Sequence, residues 1–275
     1  MSDPAPPPGG KTRSNLQLRI LSAVVLAAVT LALTWAGGVW FRVFAVAVML
    51  LMFLEWSAMV GLKPGRPHHA FCWGGIVLVA GAVLTGQGEM AIFALILIAG
   101  LAALVSGIVF GGGMAGAGGL VYSGLSGACL SLLRGDSIEG LAAIVFLFAV
   151  VWGTDIFAYF VGRALGGPKL APSISPGKTW SGAIGGLVAA MIFGVPLAMA
   201  VGDGPFFAAF IALTLSVVSQ LGDLAESSAK RRYGVKDSGH IIPGHGGVMD
   251  RVDGLVAGAI ALYVISVVFE TGFAH

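Results

Sequence analysis

The chain has 275 residues, 57% of them hydrophobic and only 10% charged, with a mean hydropathy of +0.95 and a formal net charge of +2. Such a composition lies outside the range of soluble globular domains and needs a bilayer as its solvent. The near balance of charge offers no nucleic-acid surface, and the two cysteines, Cys72 and Cys129, both inside apolar runs, build no disulfide framework.

Residues 1–15, with Pro4, Pro6, Pro7 and Pro8 followed by Gly9 and Gly10, bury too little apolar surface to offset the entropy of ordering, and a disordered cytoplasmic tail is expected there. About nine apolar runs of about 14 to 22 residues follow, most of them near the length that crosses a hydrocarbon core. They cover 20–35, 39–60, 71–85, 90–110, 120–133, 141–161, 182–201, 205–222 and 255–269. The fold expected is therefore an all-α polytopic integral membrane protein. The first run lacks a small-residue cleavage site and is followed almost at once by another span, so it is retained rather than removed as a signal peptide. With the N-terminus in the cytoplasm, Lys11, Arg13, Arg19, Lys63, Arg66, Arg163, Lys169, Lys178, Lys230, Arg231, Arg232, Lys236 and Arg251 all fall on the cytoplasmic side. Only Arg42 and Arg134 then lie outside, the asymmetry that the positive-inside rule requires.

Residues 16–139 place few polar groups inside the spans and read as scaffold. Glycines such as Gly107 and Gly111 fit close helix packing of the small-xxx-small kind. The Gly-rich stretch 111–119 has no Lys, Ser or Thr at a spacing useful for phosphate, so a flexible connector is expected. In residues 140–275 the character changes, because ionisable residues now enter apolar helices, where they are expensive and mark function. Asp155 is the first of them. A loop follows that contains Ser175, Pro176, Gly177, Lys178 and Thr179. Its Gly-Lys-Thr resembles the end of a Walker A motif, but Pro172 stands where the motif needs Gly, and no preceding strand is expected. A rigid turn with backbone donors, two hydroxyls and an ammonium still suits phosphate.

The densest cluster comes last. Asp223, Glu226 and Lys230 share one face of the eighth helix, and Asp250 and Asp253 share another at the start of the ninth. Hard carboxylates beside many cations suit a divalent metal with a polyphosphate, since Mg²⁺ takes one or two carboxylates along with substrate oxygens. Asp223 and Asp250 are expected to hold it, with Asp253 as a further ligand or as a partner of Arg251. His240 and His245 lack the spacing of a zinc site. Gly244, Gly246 and Gly247 let backbone approach a ligand, with His245 as a phosphate donor.

Ser227, Lys230, Arg231, Lys236, Asp237, Gly239, Pro243, His245, Gly246, Gly247, Asp250, Arg251 and Asp253 together resemble the C-terminal signature of the phosphatidate cytidylyltransferase (CDP-diacylglycerol synthase) family. The likeness extends upstream through 220–227 and 175–180, with Ala229 and Ser181 as departures, Ser181 standing where many members carry Glu. It implies transfer of the cytidylyl group of CTP to phosphatidic acid on the cytoplasmic leaflet of a bacterial inner membrane. It also implies Mg²⁺, with a second, monovalent cation as a further option, and a homodimer among membrane lipids. The residues then expected in catalysis are Asp223, Lys230, Arg231, Lys236, Asp237, His245, Asp250, Arg251 and Asp253. Asp155, Ser175, Lys178, Thr179, Ser227, Gly246 and Gly247 are expected to bind substrate. Two readings stand beside it: a cation-coupled transporter using Asp155, Asp223 and Glu226, and a CTP-dependent polyprenol or phytol kinase.

Overall fold

The computed structural model describes residues 15–242 and 246–269. The expected tail lies outside them except for Asn15, which opens the first helix, and so does His245. Among the described residues there are nine helices, α1 (Asn15–Ala36), α2 (Gly38–Met59), α3 (Pro67–Leu84), α4 (Glu89–Val109), α5 (Ala115–Arg134), α6 (Ile138–Leu165), α7 (Trp180–Ala200), α8 (Pro205–Arg232) and α9 (Met249–Phe269). Eight are long and apolar enough to cross a membrane, and α1 carries a shorter apolar stretch, Ile20–Ala36. The chain is thus an all-helical integral membrane protein, and the short Gly-rich fifth run is a full helix.

Short connections make successive helices antiparallel, which sorts the loops to two ends. At one end Arg42 pairs with Asp136 at 3.4 Å. The buried Arg134 donates to the carbonyls of Thr34 (2.7 Å) and Trp35 (3.4 Å), filling acceptors that the C-terminus of α1 leaves open. At the other end lie the segments 60–66, 110–114, 166–179 and 233–248. Two helices, α6 and α8, have 28 residues each, so at 1.5 Å per residue they run about 42 Å, longer than a hydrocarbon core of roughly 30 Å. Their polar last turns therefore stand beyond the apolar layer at this second end.

Two apolar cores share α2 and α5. One gathers Phe41 and Met52 of α2 with Leu133 of α5 and the buried faces of α6 to α9. The other gathers Met49 and Phe53 with α3, α4 and Leu120. The glycines work differently from the helix-pairing expectation. A Cβ on Gly107 would strike the Gly113 carbonyl, while Gly111 sits in the turn after α4 with φ +75° and open space around it. The stretch 111–119 is a connector only in its first part. Gly116, Gly118 and Gly119 belong to α5, where Gly116 makes room for the His68 imidazole and Gly119 for the Trp56 indole.

Candidate active site

The loop expected as a turn is a two-stranded antiparallel hairpin, β1 (Lys169–Ala171) and β2 (Ser175–Thr179), with Lys169 opposite Thr179 and Ala171 opposite Ser175. So Gly-Lys-Thr does lie on a strand leading into a helix, contrary to the expectation. Local chemistry explains it. Gly166 and Gly167, at φ +61° and +102°, turn the chain back after α6, a region that L side chains rarely enter. Thr179 caps α7 by accepting from Gly182 N at 3.1 Å. Ser181 donates to the Gly166 carbonyl and ties the hairpin's two ends together.

A cavity of about 790 Å³ opens between the hairpin and the ends of α6, α7, α8 and α9. It is lined by Asp155, Ser175, Lys178, Thr179, Asp223, Asp250, Arg251 and Asp253, eight of the residues expected from sequence. Lys178 reaches across from β2 to Asp223 at 2.6 Å. Asp155, Asp223 and Asp253 lie within electrostatic reach of one another, and Lys178 acts on Asp155 as an opposing charge. Ser227 donates to Asp223 at 3.3 Å. The Asp253 carboxylate accepts from Gly254 N at 2.7 Å.

Other expected residues build the walls. Lys230 is buried, bridging Glu226 Oε1 (3.0 Å) and Asp250 Oδ1 (2.5 Å), so in place of an exposed phosphate contact it clamps α8 to α9. Asp250 also accepts from Ser238 N (2.9 Å) and Gly247 N (2.9 Å), and Ser238 N reaches its second oxygen at 3.2 Å. Those contacts with Lys230 use the roughly four acceptor directions of a carboxylate, so Asp250, which also lines the cavity, anchors the loop as well. Gly246 packs beside Asp250 and Asp237, where a Cβ would lie 3.0 Å from the Asp250 carboxylate. Arg231, exposed, donates to the carbonyls of Ile174 (3.5 Å) and Val235 (3.2 Å) and so staples the hairpin to the segment after α8. Lys236 is exposed on that segment.

Sequence reasoning missed Glu55. This buried carboxylate at the end of α2 accepts from Val248 N (2.8 Å), Met249 N (2.7 Å) and Ser238 Oγ (3.1 Å). It is the cap of α9, supplied by a distant helix. An acidic residue inside an apolar run is itself the signal that could have found it. Tyr159, Arg163 and Lys169, which also line the cavity, were missed as well.

The sequence profile described as the cytidylyltransferase family matches residues 17–269. The chain belongs to the cytidylyltransferase family. A phosphatidate cytidylyltransferase of Brucella abortus is 50% identical over 257 residues, covering 93% of this chain and 95% of its relative. One of Bacillus subtilis is 35% identical over 269 residues, covering 93% and 99%. A third, of Haemophilus influenzae, is 48% identical over 129 residues, 44% of each chain. Within this cytidylyltransferase, carboxylates come from α6, α8 and α9 and the facing lysine from the hairpin, an arrangement that can hold a cation and a polyphosphate side by side.

Proposed function

We infer that the protein transfers the cytidylyl group of CTP to phosphatidic acid, giving CDP-diacylglycerol and pyrophosphate. The observation that carries this is the cavity, where Lys178, Arg251 and three converging carboxylates meet at one end of a membrane-spanning bundle. The relatives called phosphatidate cytidylyltransferase supply the reaction class. An oxygen of the lipid phosphate bonds to the α-phosphorus of CTP, and the bond from that phosphorus to the oxygen bridging to the β-phosphate breaks, its electrons leaving with pyrophosphate. A phosphomonoester with a second pKa near 6 is already largely dianionic at neutral pH, so no general base is needed. The protein's task is to bring two anions together.

Lys178 and Arg251 contact the nucleotide phosphates, and Ser175 and Thr179 offer hydroxyls beside them. The donor set fits Mg²⁺. Four carboxylates line the cavity as hard oxygen donors, and the repulsion among Asp155, Asp223 and Asp253 calls for a cation. Among the described residues no group of three or more His, Cys, Asp or Glu side chains is arranged to hold a metal; Mg²⁺ takes one or two carboxylates and completes its shell with substrate oxygens and water. Asp223 and Asp250 would hold it, with Asp253 as a further ligand, and when bound it would offset the triphosphate's charge. A site at the cytoplasmic face of a bacterial inner membrane is part of the same reading, supported by the basic residues at this end. A homodimer completes the reading, checked by the mass of the purified particle. Transport without nucleotide leaves the hairpin's lysine and hydroxyls without a role.

The test follows label from CTP into lipid, using purified protein in detergent micelles with phosphatidic acid and Mg²⁺. Metal-dependent formation of CDP-diacylglycerol is expected, and Asp223→Asn should lower kcat by at least about 100-fold. Wild-type turnover and metal dependence in that variant would sink the assignment of Asp223.

A further inference from the structure

The elements around the cavity differ in charge. Its four carboxylates, Asp155, Asp223, Asp250 and Asp253, come from the middle of α6 and from α8 and α9, with Arg251 among them. The lining from Ala158 to Ala183 contains no acidic side chain and contributes Tyr159, Arg163 and Lys169 as well as Lys178, which is paired with Asp223. Arg163 Nη1 donates to Tyr159 Oη at 2.9 Å, which leaves the phenol hydrogen and the remaining guanidinium hydrogens available to a ligand. This part of the cavity also borders lipid. Along the turns of α6 just before its last, the side chains of Ile156, Phe157 and Phe160 are exposed, and on a membrane-spanning helix that surface meets acyl chains.

A triphosphate that arrives with a divalent cation needs carboxylates nearby. A phosphomonoester that arrives without one needs bare cations and hydroxyl donors, and needs them where headgroups lie. We propose that Tyr159, Arg163 and Lys169 form the receiving site for a lipid phosphomonoester, the phosphate of phosphatidic acid, which enters over the exposed face of α6 while the acidic part of the cavity takes the nucleotide. The proposal rests on the cytidylyl-transfer reading above for the identity of the lipid.

Kinetics in mixed micelles separate the two substrates. With phosphatidate mole fraction varied at saturating CTP, Arg163→Gln should raise the half-saturating mole fraction about tenfold and leave the KM for CTP within about twofold. Arg163→Lys recovers part of the loss. Lys169→Gln, at the exposed first position of β1, gives a smaller rise in the same direction. An equal or larger rise in the KM for CTP, or no change for either substrate, overturns the proposal. A second measurement needs no turnover. Labelling of Arg163→Cys by a maleimide, with Cys72 and Cys129 both buried, should be slowed by phosphatidate and not by CTP. Protection by CTP alone, or by neither, overturns the site. Wild-type protein that makes no CDP-diacylglycerol would remove the cytidylyl reading, and the labelling result would then decide the phosphomonoester site by itself.

Discussion

Lys230 holds one positive charge between two carboxylates that water hardly reaches, with side-chain exposures of 10% for Lys230, 2% for Glu226 and 7% for Asp250. Removing one member of such a group is costlier than the group's net worth, because the charges left behind stay buried and uncompensated. Lys230→Met should therefore destabilise the protein by roughly 3–5 kcal/mol, read as a lower midpoint of thermal unfolding in detergent. Glu226→Gln in the same chain should restore part of the loss, since one of the two stranded charges is then gone. No recovery in the double variant would mean that Glu226 keeps its charge compensated elsewhere. Asp250→Asn acts differently. The amide puts a donor where Ser238 N, Gly247 N or Lys230 also donates, so loop 237–248 loosens while α9 remains.

At the scale of elements, Glu55 decides where α9 begins. Its two oxygens satisfy Val248 N and Met249 N and hold Ser238, so Glu55→Ala leaves buried donors without acceptors, each at a cost of about 1–3 kcal/mol. The expected result is faster amide hydrogen exchange across 237–249 and a lower kcat, with exchange in α6 and α7 unchanged. Unchanged protection at Val248 and Met249 would show the cap to be dispensable. The same element shows what one-dimensional reading can and cannot reach. The spans were legible because a bilayer imposes length and hydropathy on each helix separately, and the predicted runs fall within or nearly within the observed helices. Asp223, Asp253 and Lys178 were legible because charges are rare in such helices and crowd near the site. Glu55 was not, because its partner Met249 lies 194 positions away and is a backbone group that any residue carries. The hairpin was missed for a related reason. Ser-Pro-Gly-Lys-Thr has little strand propensity, and its pairing comes from the glycine reversal before it and the helix cap after it.

At the scale of the molecule, the division into scaffold and catalytic halves is crossed by α2 and α5, which supply side chains to both apolar cores. Glu55 caps α9 from the end of α2, and its neighbour Trp56 is held by α5, its indole donating to the Ala115 carbonyl at 2.8 Å and lying over Gly119. The packing of the N-terminal helices thus sets the position of a carboxylate that holds the segment leading into α9. Two adjacent glycines test this. A Cβ on Gly119 would fall 2.0 Å from Trp56 Cδ1, whereas one on Gly118 meets nothing within 4 Å. Gly119→Ala should cost about 1–3 kcal/mol by overpacking. It should also lower kcat and deprotect 237–249, although it lies outside the cavity lining. Gly118→Ala adds the same methyl to open space and gains roughly 0.5–1 kcal/mol of helix propensity, so its activity should match wild type with a slightly higher unfolding midpoint. The pair shares its helix, its chemistry and its distance along the chain from the site, so only the contact with Trp56 separates them. If both variants turn over alike, α2 does not carry strain from the first core to the loop, and the N-terminal helices serve only to seat the others in the membrane.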